Sequence, residues 1–476
     1  MTAKALPYDR YSKESILEYA KLLLGKSLID CHPELDVNDV TKKAGKGKFG
    51  QCVEEIHFLY KANSNSEPDF VEAGVELKST PLKELKEGSY VSKERLVLNI
   101  IDYISEASKQ FETSSFWKKN SLILLMFYLH VVGKCPFEYV FKIVRLWSIP
   151  KEDLKIFMDD WAIIHDKIIN GRAHELHGGD TLYLGTCPKG SRSGAEMRMQ
   201  PGTTIKAPQR AYSIKSSYLN QVILDSMSHP EMVDGMKMTK KQREKIAKKK
   251  DEAGCIFSAR KLANSGKSFE QLVVEKFQKF YGKSVKEISE NLGVQISASP
   301  KAVSYQLCRA ILGVKERKIA EFEKADLMLK TIRLEHNGNL KEAMSFSQVR
   351  YKDIVNEEDW TESAWYEILT HRFFFVVFRK KKNGCHDEAV LEKVFFWAIP
   401  FADLEKAKAF WMHTRNKVRI GDYNNFIKSS DRKVCHIRPK AKNSKEMVDT
   451  PQGGKTKKLC YWLNRDYVLN IVNGIL

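Results

Sequence analysis

The chain has 476 residues, is 43% hydrophobic and 29% charged, and carries a formal net charge of +19. At roughly 150 residues per domain this length provides two or three domains, each with its own core, and excludes a single small module. The opening MTAKALPYDRYSKES has no apolar segment, and the longest apolar run, Leu122 to Val132, is broken by His130. That run is shorter than the ~20 residues of a membrane span, so neither secretion nor membrane insertion is expected and a cytoplasmic location is. The nine cysteines form no CxxC pair and have no histidine at zinc-finger spacing, which reads as free thiols in a reducing compartment. The positive surplus calls for a polyanion. With no basic amphipathic helix carrying Trp or Phe on its apolar side, nucleic acid is favoured over a membrane surface.

In chain order, Ser12 can cap a helix whose apolar residues Ile16, Ala20 and Leu23 recur at helical spacing until Gly25. Pro68-Asp69 then precedes Glu76-Leu77-Lys78, where apolar Val75 and Leu77 flank the glutamate as in a strand. Leu122 to Leu129 and Val140 to Trp147 read as a hairpin around Gly133-Lys-Cys-Pro136. Trp147-Ser-Ile-Pro150, Asp153-Leu154 and Trp161 recur as Trp397-Ala-Ile-Pro400, Asp403-Leu404 and Trp411, an offset of 250 residues. Leu77-Lys78 with Leu329-Lys330, Pro188-Lys189 with Pro439-Lys440, and Tyr212-Ser-Ile214 with Tyr461-Trp-Leu463 follow in the same order. Phe373 to Phe378 and Val394 to Trp397 repeat the hairpin. This period is too long for a solenoid, so the chain is two copies of one α/β domain, a mixed sheet flanked by helices. The basic run Met236 to Lys250 cannot bury a face and marks the join. The expected division is 1–225, a linker over 226–265, and 266–476.

The chemistry concentrates at Glu76 and Lys78. Residues two apart in a strand share a face, so a carboxylate and an ammonium meet the same water while Asp69 adds a second carboxylate. Asp69, Glu76 and the Leu77 carbonyl form a hard-oxygen set suited to Mg²⁺, which stabilises charge on a phosphate and activates water. Glu-x-Lys alone is common, and Glu84-Leu-Lys86 repeats it without a partner. His174-Glu-Leu-His177 has the wrong spacing for a zinc site.

Gly50-Gln-Cys-Val-Glu54, the block Pro68-Asp69-Phe-Val-Glu-Ala-Gly-Val-Glu76-Leu-Lys78, and Glu112-Thr-Ser-Ser-Phe-Trp-Lys-Lys119 resemble the MutH endonucleases. The stretch Ser92 to Ile101, the length and the doubled architecture are closer to the related Sau type of type II restriction enzymes that cut at GATC. The resemblance implies two tandem restriction-endonuclease-like (MutH-like) domains and Mg²⁺-dependent hydrolysis of duplex DNA at GATC, with dimerisation on DNA of a chain that is monomeric in solution. It implies that Asp69 and Glu76 bind metal, that Lys78 serves the water, and that Glu54 and Lys119 complete the site, with Glu55 and Lys118 as adjacent competitors. It further implies that Lys189 reads bases from the major groove. Cys187 and Ser213 stand where the MutH pattern has Arg and Tyr, which leaves methylation sensitivity open.

At the measured offset Met328 takes the place of Glu76, Thr370 that of Lys119 and Glu321 that of Asp69, while Lys330 keeps that of Lys78. Arg438-Pro439-Lys440 retains the DNA-facing segment. The second copy is therefore expected to bind DNA as an effector without cutting, with a purely structural brace as the alternative. A strand-nicking repair enzyme and a non-catalytic DNA-binding regulator are the competing functions for the whole chain.

Overall fold

The computed structural model describes residues 6–35, 49–61, 66–189, 196–240, 242–243, 256–295, 300–315, 318–384, 388–440 and 446–475. The chain forms two compact units: Met1–His174 with Thr181–Ser268 and Glu316–Asp326, and Glu175–Asp180 with Phe269–Lys315 and Leu327–Leu476. Position 241 and residues 244–250 of the basic run lie outside the described residues. The stretch expected to be linker begins as part of the first unit: the Asp234 N–H donates to the Lys142 carbonyl at 3.0 Å and its carboxylate pairs with the Lys142 ammonium at 2.8 Å. No helix among the described residues is long and apolar enough to cross a membrane.

In the first unit the helix Lys13–Ala20 begins where Ser12 accepts the Ser15 N–H and buries Ile16 and Ala20. Among the described residues nine strands follow: β1 (Glu76–Glu84), β2 (Tyr90–Ser92), β3 (Leu96–Ile100), β4 (Ile123–Leu129), β5 (Phe141–Trp147), β6 (Leu184–Pro188), β7 (Met197–Gln200), β8 (Thr203–Pro208) and β9 (Arg210–Ile214). The main sheet runs β2-β1-β4-β5. β1 is parallel to β4, with Glu76 opposite Ile123, and the other pairs are antiparallel. Covered on both faces, β4 is continuously apolar from Ile123 to Phe127. A smaller sheet, β3-β9-β6, and the ribbon β7-β8 complete the unit. Pro150 sets the start of the 19-residue helix Lys151–Ile169, whose Ile156, Phe157, Trp161, Ile164 and Ile168 are buried. From the same helix, Asp160 accepts the N–H groups of Leu182, Tyr183 and Leu184 at 2.8, 2.6 and 2.9 Å, which fixes the start of β6.

The second unit repeats this plan with β10 (Met328–Leu334), β11 (Met344–Gln348), β12 (Phe373–Arg379), β13 (Val390–Trp397), β14 (Cys435–Pro439), β15 (Met447–Asp449), β16 (Lys455–Lys457) and β17 (Leu459–Leu463). Its sheets are β10-β12-β13, β11-β17-β14 and β15-β16. β10 is parallel to β12, and Phe373 lies opposite Trp397 as Ile123 lies opposite Trp147. The helix Phe401–Arg419 also has 19 residues and also starts at a proline, Pro400. One equivalence changes. The helices Ser115–Asn120 and Ala364–Leu369 start at serine caps Ser114 and Ser363, so their shared register puts Ile368, not Thr370, at the position of Lys119. Thr370 is the C-cap, equivalent to Ser121, because the spacing between strand and helix differs between the copies.

Candidate active site

The site is built at the start of β1 by two backbone devices. Phe70 and Val75 exchange hydrogen bonds at 2.9 and 3.2 Å, and the turn between them closes at Gly74, whose φ of +66° favours glycine. This folds Asp69 back over the strand, where its Oδ2 accepts the Leu77 N–H at 2.9 Å. The Asp69 N–H in turn donates to Glu76 Oε2 at 3.2 Å. The Glu76 carboxylate is thus held by the Asp69 N–H, and the Asp69 carboxylate by the N–H of Leu77. Glu76 is only 1% exposed, and the Lys78 ammonium donates to its Oε1. Lys119, buried near the end of its helix, approaches Glu76 Oε2 at 3.7 Å, whereas Lys118 is exposed. This geometry selects Lys119 over Lys118.

Glu54 comes from the helical segment Phe49–Cys52, which widens into a π-turn over Val53–His57. Such turns recur at functional sites. Gly50 allows the segment to lie close to β1, since a Cβ there would stand 3.3 Å from Ser79 Oγ. Glu54 is half-buried and its carboxyl is pushed up to about 7, first by burial and then by the negative charge of Asp69, with Lys78 opposing. Glu55 is exposed, so Glu54 is the member that faces the cluster. Glu76 is likewise pushed up to about 7 by burial, with Lys78 and Lys119 opposing and Asp69 adding to the rise.

Sequence reasoning did not reach Tyr60. Its N–H donates to the Glu54 carbonyl at 3.3 Å, its ring meets that of Phe70 edge-on at 5.4 Å, and its buried hydroxyl has no hydrogen-bond partner among the described residues. Burial and then Asp69, Glu54 and Glu76 raise its pKa, which places the phenol beside the three carboxylates. The only advance signal was a tyrosine within six residues of Glu54. Its aim depends on Leu59, the residue before it, which follows the π-turn at φ +59°.

Charge and donor chemistry fit a hard divalent cation. Two carboxyls held near pH 7 by burial and mutual repulsion are relieved by a positive ion, and all the available donors are oxygens. Among the described residues no three His, Cys, Asp or Glu side chains converge as a metal cage. His177 pairs with Asp180 at 3.3 Å and His174 faces Gln200 at 3.2 Å, and neither belongs to a metal site.

Lys189 is exposed immediately after β6, its N–H tied to the Gln209 carbonyl at 2.9 Å. Arg95, which donates to the Thr186 carbonyl at 3.4 Å, and Arg210 of β9 add positive charge near Cys187 that no local motif announces. In the second unit Arg438 lies with its guanidinium 4.0 Å from the Trp462 ring, and Lys440 is exposed. The strand register puts Met328 opposite Phe373 as Glu76 is opposite Ile123, and Lys330 opposite Phe375 as Lys78 is opposite Leu125. Glu321, at the position of Asp69, folds with the first unit, where it accepts the Ile256 N–H at 2.7 Å. The second unit therefore keeps the lysine and has lost both carboxylates from the site.

Residues 58–160 match the family model described as the DNA mismatch repair enzyme MutH. The type II restriction enzyme Sau3AI of Staphylococcus aureus is 33% identical over 95% of this chain and 93% of its own length. The DNA mismatch repair protein MutH of Vibrio campbellii is 24% identical over 45% of this chain and 93% of its own length. Its counterpart from Shewanella woodyi is 27% identical over 43% of this chain and 87% of its own.

Proposed function

The chain belongs to the family of the type II restriction enzyme Sau3AI, and on that footing we propose that its first unit hydrolyses both strands of duplex DNA at GATC with Mg²⁺ in the cytoplasm while its second unit binds a further DNA site as an effector. The observation that carries this reading is the pair of carboxylates Asp69 and Glu76, fixed at the start of β1 by the Leu77 and Asp69 N–H groups beside Lys78 in one unit, against Met328 beside Lys330 in the other. Mg²⁺ held by Asp69, Glu76 and the Leu77 carbonyl would polarise the scissile phosphate and its attacking water. Lys78, fixed by its ion pair with Glu76, orients that water and offsets negative charge as the bond to phosphorus forms. Lys119 adds a second positive charge on the other oxygen of Glu76. Glu54, its carboxyl raised by burial and by Asp69, stands at the edge of the cluster where it can hold or give a proton. Lys189 donates to base edges in the major groove. GATC reads the same on both strands and each chain has one complete set, so cutting both strands calls for two chains related by a twofold axis on the DNA.

Replacing Glu76 by Gln should lower cleavage by about 10²-fold or more. DNA binding should stay within a few fold, since the substitution acts on metal and water and not in the basic groove. Ca²⁺ should support binding by the unaltered chain without cleavage. Sequenced termini of digested plasmid should all lie at GATC on both strands. Wild-type rates in the purified Glu76→Gln protein would refute the site, and termini on one strand only would indicate a nicking enzyme.

A further inference from the structure

The position vacated by Glu76 in the second unit has acquired positive charge as well as losing negative charge. The strand ladders make the comparison residue by residue. Gly185 lies opposite Ser213 in the first unit and His436 opposite Trp462 in the second, and two residues further along Cys187 corresponds to Arg438. In the first unit the ammonium of Lys78 is bound to Glu76. In the second unit, among the described residues, Lys330 has no carboxylate within ion-pair distance. Its ammonium donates to the Ser345 carbonyl at 3.3 Å and stands 4.3 Å over the Phe346 ring. Ser345 lies opposite Trp462, and the guanidinium of Arg438 packs on that indole, whose Nε1 donates to the Arg438 carbonyl at 3.1 Å. The small sheet β11-β17-β14 thus carries Lys330 at Ser345 of β11 and Arg438 on Trp462 of β17, with Lys440 just beyond the end of β14.

We propose that this vacated catalytic position is a metal-independent phosphate site, in which Lys330 with Arg438 and Lys440 takes a backbone phosphate of duplex DNA. The inference rests on the effector reading above and gives it a binding site. A half-buried ammonium whose neighbours are a carbonyl, a ring face and the cation Lys440 is held ready for an anion, and the absent carboxylates would otherwise repel one. Burial and Lys440 push the Lys330 ammonium down to about 8, so its positive charge is under-compensated in the free protein. Arg438, flattened on an indole, presents its remaining N–H groups as a preformed fork.

The test uses the full chain in EDTA and a labelled GATC duplex over a salt series. Lys330→Met should weaken binding about tenfold and reduce the slope of log K against log salt by about 0.9, the release expected for one lost phosphate contact. Lys330→Arg should restore the slope. Lys78→Met should leave the slope unaltered, because the charge of Lys78 is already paired. In the unaltered protein, bound duplex should protect Lys330 from acetylation, a readout that requires no variant. Unchanged slope in Lys330→Met together with unprotected Lys330 would overturn the proposal. If the Arg438→Ala, Lys440→Ala double variant nevertheless lost slope, the effector reading would survive and this site alone would fall; if neither variant changed it, both would fall.

Discussion

At the scale of single residues the active site depends on neighbours that hold protonation states as well as positions. His57 ends the π-turn that presents Glu54, and its ring is stacked on Tyr19 at 4.5 Å. Its Nε2 faces the Tyr19 carbonyl at 3.2 Å, which only accepts, so the proton sits on Nε2 and Nδ1 accepts from His32 Nε2, also at 3.2 Å. A second proton on Nδ1 would face the His32 N–H. Burial accordingly holds His57 down at about 4. Its unfolded value is about 6.5, so between those limits the unfolded chain binds more protons. The stabilising contribution is complete above about pH 6.5 and disappears as pH falls to about 4, a change of about 3 kcal/mol. Urea midpoints measured at pH 7 and 4.5 should therefore differ more for the unaltered chain than for His57→Gln. Equal pH dependence would show that His57 is not the titrating group. Glu76, Lys78 and Asp69 were legible in the sequence because strand alternation and an apolar flank decide which side chains share a face. Tyr60 was not, since a positive φ at Leu59 breaks any periodicity that could have announced it.

At the scale of elements, an acid joins a helix start to the long helix in each unit, and in the first unit it is buried and also holds a strand. Glu106 accepts the Ser115 N–H with both oxygens, at 3.3 and 3.2 Å, and the Tyr212 hydroxyl at 3.1 Å, and also faces Trp161 Nε1 at 3.4 Å. Glu357 does the same work for the Ala364 N–H at 3.0 Å and Trp411 Nε1 at 2.6 Å. The helix that Glu106 anchors is the one that delivers Lys119 to Glu76. Removing the acid would strand several buried donors, so Glu106→Ala should lower stability by about 3 kcal/mol, and Glu106→Gln, which still accepts, by less. Urea unfolding followed together with loss of cleavage would check this, and equal effects of the two substitutions would contradict it. Both tryptophans of this arrangement were visible as repeat anchors. The role of Glu106 was not, because its partners lie as far as 106 residues away and nothing local marks a glutamate as buried.

At the scale of the whole molecule, the two copies have diverged, one keeping carboxylates beside its strand lysine and the other having Met328 there. The repeat was readable because the Trp-x-Ile-Pro corner survives in both copies, where it ends a hairpin and starts a long helix. The path of the chain was not readable. The helix Ala320–Ala325 precedes the second unit's first strand yet folds with the first unit, where Lys324 binds both oxygens of Asp153 at 2.6 and 2.7 Å and Tyr218 donates to the same carboxylate at 2.8 Å. Only long-range partners decide that placement, and a local pattern does not contain them. The same helix removes Glu321 from the position of Asp69, which completes the loss of carboxylates from the second unit.

The division of labour between a cutting unit and a DNA-binding effector is tested most directly by the rate of cleavage of plasmids that carry one or two GATC sites. An effector raises activity only by favouring the competent state or assembly over the idle one. The account therefore predicts faster cutting per site with two sites, and rescue of the single-site plasmid by an uncleavable GATC duplex supplied in trans. Equal rates per site, with no response to the added duplex, would contradict it and leave the second unit as a structural brace.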